Sequence, residues 1–229
     1  MAALNKILAI DASTELCSVC WTDGALWIER REDAGQRHSA LIMSLIDETL
    51  NQAGCKLTDL DEVAFGAGPG SFTGLRIACG IAQGLAFGAG IRVRAVSSLM
   101  ALAEASGQPA VIAAIDARMN EVYWGAYRRG PDGRWVEVMS PTVSPATDVV
   151  MPQGHGWAGA GNGFARFASL VASMPVTATI DAAVEVTARS IASLAATGHG
   201  EIDDAEHAMP VYVRNKVAMT SAERAAARR

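Results

Sequence analysis

The sequence predicts a two-lobed α/β protein built by repeating one unit, and three observations predict it. Ile7-Leu8-Ala9-Ile10-Asp11-Ala12-Ser13 is echoed by Val111-Ile112-Ala113-Ala114-Ile115-Asp116-Ala117-Arg118, each an apolar run ending in Ile-Asp-Ala. Each run is followed by the same order of signals: a second apolar strand, a glycine turn and a third strand. The chain of 229 residues has room for two lobes of about 100 residues each.

The elements follow in order. Residues 7–10 are an uninterrupted apolar run and read as the first strand. Leu16–Thr22 is the second strand, Asp23-Gly24 the turn, and 25–31 the third strand. Glycine between apolar runs is a hairpin signal. His38–Ala53 is helical, because Leu41, Ile42, Leu45, Ile46, Leu50 and Ala53 recur at helical spacing, and Gly54 stops it. A short strand at 63–66 enters the turn Gly68-Pro69-Gly70, and Ser71 or Thr73 is placed to cap a helix over 72–87. A strand at 92–96 and a helix over Ser98–Ala105 complete the first lobe, with the boundary near 106–108. In the second half, 121–128 and 134–139 flank the turn Gly130-Pro131-Asp132-Gly133. A strand at 157–161 and helices over 164–173 and 187–197 follow. The expected organisation is 1–106, 107–213 and a basic, disordered tail at 214–229.

Composition excludes several classes. Half of the residues are apolar and the net charge is −5, which argues against a protein that grips nucleic acid through its own field. No apolar run approaches the roughly 20 residues that span a bilayer. The apolar run at 7–10 stops at Asp11, unlike a signal peptide, so the expected location is the cytoplasm. The four cysteines suit a reducing compartment. Cys17 and Cys20 are three apart on one strand and so point to opposite faces, which disfavours a metal or redox pair.

Two copies of a three-stranded meander followed by helices and parallel strands form the duplicated ribonuclease-H-like plan shared by actin, sugar kinases and heat-shock ATPases. Within it, Ile10-Asp11-Ala12-Ser13-Thr14, Arg37-His38-Ser39, the string 68–77, Val96-Ser97-Ser98-Leu99, Ile115-Asp116-Ala117-Arg118 and Pro210-Val211-Tyr212-Val213-Arg214 together resemble the TsaB (YeaZ) family. The string Gly-Pro-Gly-Ser-Phe-Thr-Gly-Leu-Arg is the most specific of them, and Ala12 stands where that family usually has threonine. The resemblance implies a non-catalytic subunit of the machinery that makes N6-threonylcarbamoyladenosine in tRNA. It also implies dimerisation with a catalytic TsaD-type transferase, a TsaE-type ATPase in the assembly, tRNA contacted through the complex, and no membrane. A second copy of this chain is an alternative partner.

The rival readings are an ATP-dependent phosphotransferase of the sugar-kinase type and a metal-dependent peptidase. TsaD-like proteins hold a metal with two histidines four apart on a helix; the matching positions here are Ser98 and Leu102, and no two of His38, His155, His199 and His207 are three to five apart. No metal ligand is therefore expected. The superfold implies phosphates near Asp11, Ser13 and Thr14, with Gly68 and Gly70 as a backbone cradle. Where glycines would let the second hairpin approach phosphate, the sequence reads Asp116-Ala117-Arg118. Gly159-Ala160-Gly161-Asn162-Gly163 is the candidate adenosine loop. No cofactor is expected in the chain alone, and ATP or ADP only at a composite site in the complex. Arg214-Asn215-Lys216 and 223–229 are basic and offer a contact to tRNA.

The helix after the Gly-Pro-Gly turn carries Gly74, Ala78, Gly80, Ala82, Gly84 and Ala86. Glycine within a helix costs about 1 kcal/mol relative to alanine, so these residues point to close helix packing. The expected interface comprises Leu41, Leu45, Leu75, Ala78, Cys79, Ala82 and Gln83, as half of a four-helix contact.

Overall fold

The computed structural model describes residues 5–34 and 37–213; the basic tail 214–229 lies outside the described residues. The first half runs β1 (Ile7–Asp11), β2 (Leu16–Thr22), β3 (Trp27–Asp33), α1 (His38–Ala53), β4 (Glu62–Gly68), α2 (Phe72–Ala89), β5 (Arg92–Ser97) and α3 (Ser98–Ala105). The second runs β6 (Ala110–Asp116), β7 (Glu121–Arg129), β8 (Trp135–Pro145), β9 (Ala158–Ala160), α4 (Asn162–Arg166), α5 (Ala168–Ser173), β10 (Ile180–Asp181), α6 (Ala188–Ala196) and β11 (Glu201–Asp203).

The repeat has a structural counterpart. β1 pairs antiparallel with β2 and parallel with β4, and β6 pairs antiparallel with β7 and parallel with β9. The sheets read β11-β5-β4-β1-β2-β3 and β10-β9-β6-β7-β8.

Both central strands are covered on both faces, as their continuous apolar runs require. Leu8 and Ile10 point to a core shared with α1 and α2, while Ile7 and Ala9 point to a middle core with α3 and α6. Val111, Ala113 and Ile115 enter that middle core from the other sheet; Ile112 and Ala114 face an outer core with Phe164 of α4 and Leu170 of α5. The layers are thus α1 and α2, first sheet, α3 and α6, second sheet, α4 and α5.

Several expectations need correction. The last part of the chain does not stay with the second lobe: β11 joins β5 at the edge of the first sheet, and Ile191 and Ala192 of α6 pack in the core between the sheets. The helix expected over 164–173 breaks into α4 and α5 at Phe167, whose backbone is extended at φ −123 and ψ 104. β8 runs on to Pro145, past the expected 139. Among the described residues, α2 is the one helix long and apolar enough to cross a membrane, with mean hydropathy 1.2. Its inner face is committed to the first sheet.

Candidate functional site

The cleft between the sheets has a volume of about 900 Å³ and is walled by the β1–β2 turn, the start of α2, the β6–β7 turn and Val211–Val213. Ser13, Thr14, His38, Gly70, Asp116, Arg118 and Asn162 line it. His38 Nε2 lies 3.1 Å from the Thr14 carbonyl, which can only accept, so this nitrogen carries the proton.

The Gly-Pro-Gly string is explained by contacts within the chain. Ser71 caps α2 by accepting from the Gly74 amide at 3.3 Å, and its own amide donates to the Ser13 carbonyl at 2.7 Å. A Cβ on Gly74 would fall on the Ala12 carbonyl, and one on Gly70 on the Ser13 carbonyl. Gly68 has φ 118 and meets the Val211 carbonyl, and the Gly68 amide donates to Ser98 Oγ at 3.1 Å. These glycines let the β1–β2 turn lie directly on the entry to α2.

This overturns part of the expected phosphate site. Ser13, Thr14 and Gly70 line the cleft, but Gly68 is packed against the C-terminal segment and Asp11 is wholly buried behind the wall. Asp11 Oδ2 accepts from the Ser13 amide at 3.2 Å and from Ser13 Oγ at 3.0 Å. Asp11 Oδ1 has no partner among the described residues and occupies the space a side chain on Gly66 would need. Burial pushes its carboxyl up to about 7, against the opposing pull of the Ser13 bonds.

The second hairpin is equally committed. Arg118, Met119 and Asn120 take φ of 61, 52 and 64, a left-handed turn made without glycine, which residues with a Cβ rarely adopt. The Arg118 amide donates to Asp116 Oδ1 at 2.9 Å, and its guanidinium reaches Glu15 across the cleft at 3.2 Å. The glycines of the candidate adenosine loop, of which Gly161 lines the cleft beside Asn162, are close-packed within the chain. A Cβ on Gly159 would enter the Phe164 ring at 2.6 Å, one on Gly161 the Ala114 carbonyl, and one on Gly163 Ala114 and Val122 at 2.9 Å. Among the described residues no three His, Cys, Asp or Glu side chains are grouped to hold a metal. Cys17 and Cys20 enter different cores.

The expected interface also needs correction. Leu75, Ala78, Cys79 and Ala82 on α2 and Leu45 on α1 are buried within this chain's own core, because α2 lies on β4 and β1 and α1 lies on β2 and β3. Leu41 and Gln83 are half-buried, and Gln83 donates to the Ala208 carbonyl at 3.0 Å. The outward ridge of α2 is instead Phe72, Arg76, Gly80, Gly84 and Gly88, at successive i, i+4 positions. A Cβ on any of those three glycines would meet nothing within 4 Å. Beside it on the same sheet, α1 exposes Ala40, Met43, Ser44 and Asp47. The i, i+4 spacing of 80, 84 and 88 was the signal that could have found this ridge.

Fold and cleft define a two-lobed protein of the duplicated ribonuclease-H-like class whose inter-lobe machinery is largely tied up in internal packing. Residues 31–222 match the family model described as TsaD: tRNA N6-adenosine threonylcarbamoyltransferase. The chain is 38% identical to the Escherichia coli K12 tRNA threonylcarbamoyladenosine biosynthesis protein TsaB, over 93% of this chain and 96% of that one. It is 42% identical to the Haemophilus influenzae TsaB, over 66% of this chain and 72% of the relative. The solved structure of YeaZ from Pseudomonas aeruginosa superposes with a TM-score of 0.82 at 39% identity, covering 91% of this chain and 99% of that one. The chain belongs to the TsaB (YeaZ) family of tRNA threonylcarbamoyladenosine biosynthesis proteins, within the wider TsaD-like group.

Proposed function

We propose that this chain is a non-catalytic subunit of the tRNA N6-threonylcarbamoyladenosine machinery, which docks on a TsaD-type transferase through the outward faces of α1 and α2 and activates it. The observation that carries this is the ridge Gly80, Gly84, Gly88. Each costs about 1 kcal/mol as a helical glycine, yet none of the described residues fills the space above them. A helix from outside is what such a groove admits. Family membership supplies the partner's identity. A TsaE-type ATPase and tRNA join through the complex in the cytoplasm. Nucleotide binds only where the partner completes a site. A second copy of this chain is the competing occupant of the same face.

The non-catalytic part of the reading rests on the cleft. Its aspartate is buried, its glycines are consumed by packing, and its second hairpin presents Asp116 to any phosphate. Phosphotransfer and metallopeptidase chemistry are accordingly not favoured. The test is reconstitution with the partner subunit, threonylcarbamoyl-adenylate and tRNA. Modified tRNA should form only when both subunits are present, and isothermal titration of ATP into this chain alone should show no heat of binding. Transfer by this chain alone, or tight ATP binding by it, would overturn the reading.

A further inference from the structure

The α2 ridge carries one charged side chain, Arg76, standing between Phe72 and the exposed glycines. Its guanidinium lies 3.9 Å from the centroid of the Phe72 ring and 5.8 Å from that of Tyr212, and its Nε donates to Tyr212 Oη at 2.9 Å. The two rings are themselves 5.5 Å apart. Phe72 and Tyr212 are both partly exposed, at 37% and 42%. Among the described residues no carboxylate lies within ion-pair distance of Arg76. The cation is thus held by aromatic walls, and none of the described carboxylates meets its terminal nitrogens.

A helix laid along Gly80 and Gly84 also covers Arg76, one turn away. Burying a guanidinium without an anion is strongly unfavourable, whereas its planar fork matches a carboxylate bidentately. We propose that Arg76 fixes the register of the docked transferase subunit by pairing with a carboxylate side chain of that subunit. This deepens the proposed docking and rests on it.

The experiment titrates the TsaD-type subunit against the wild-type chain, Arg76→Glu, Tyr212→Phe and Gly84→Trp at two salt concentrations. Arg76→Glu should weaken association by about 30-fold or more, the lower bound for losing one member of a buried charge pair, and should reverse its salt dependence, because added salt then screens a like-charge repulsion. Tyr212→Phe, which loses the strap bond but keeps the cation, should associate as wild type, separating charge from loss of local packing. If Gly84→Trp blocks association and Arg76→Glu does not weaken it, the register proposal falls and the docking face stands. If Gly84→Trp has no effect, the docking face falls and takes the proposal with it. If Arg76→Glu spares association but loses binding of a tRNA probe, the anion is an RNA phosphate and the proposal is overturned.

Discussion

The helix α2 and the turn before it carry two sets of glycines under opposite demands. Gly66, Gly68, Gly70 and Gly74 have no room for a side chain, because the β1–β2 turn, Asp11 and the C-terminal segment lie against them. A Cβ on Gly80, Gly84 or Gly88 meets nothing within 4 Å among the described residues. The first set is explained inside the molecule: it fixes the entry of α2 on the first sheet. The second set weakens the isolated chain and has no such internal explanation among the described residues; the proposed docking supplies one. A glycine-rich string near a cleft therefore signals packing here, and the glycines that bear on the proposed docking are the ones an added Cβ leaves without a neighbour.

The sharpest way to break the comparison is to give each set a methyl group. Gly74→Ala should destabilise the fold by about 4 kcal/mol or prevent folding, since its Cβ has no place beside the Ala12 carbonyl; chemical denaturation measures this. A fold that tolerates it would mean the turn relaxes, and the first set would lose its explanation.

Asp11, beside Gly66, predicts a pH signature of the same packing. Its carboxyl is pushed up to about 7 by burial, so between the ordinary carboxylate range and that value the folded state holds a proton the unfolded state has lost. Stability should be full at the acid end and fall as pH rises through about 7, by a few kcal/mol in all. Asp11→Asn should flatten this slope in thermal melts taken from pH 4 to 8. An unchanged slope would assign it to other groups.

Gly84→Ala should do the opposite of Gly74→Ala and raise the stability of the isolated chain by about 1 kcal/mol. A loss instead would reveal an internal use for the exposed ridge. The smallest effect is expected at the cleft mouth. Glu15→Gln removes the exposed partner of Arg118 and should change stability by less than about 1 kcal/mol, visible as a near-identical urea midpoint.

How much was legible in the sequence depends on local signal. α1, α3 and β2 match their expected limits, because periodicity and caps such as Gly54 mark them. β10 and β11, of two and three residues, are too short to show any period and exist only because neighbouring strands accept them. Which side of α2 faces out was not legible for a different reason. Ala78 and Ala82 are small because the sheet is close; Gly80 and Gly84 are small with nothing above them. With small residues on both faces, the pattern has no contrast to orient the helix. The burial of Asp11 was hidden similarly, since the same Ile-Asp-Ala turn serves a cleft aspartate equally well.

The central claim is that the open glycine ridge exists for a partner and not for this chain. Gly84→Trp tests it in one preparation, by a thermal melt of the isolated chain and size-exclusion chromatography with the TsaD-type subunit. The expected result is a melt at or above that of wild type together with loss of the complex. A complex formed at wild-type affinity by a well-folded Gly84→Trp chain would contradict it.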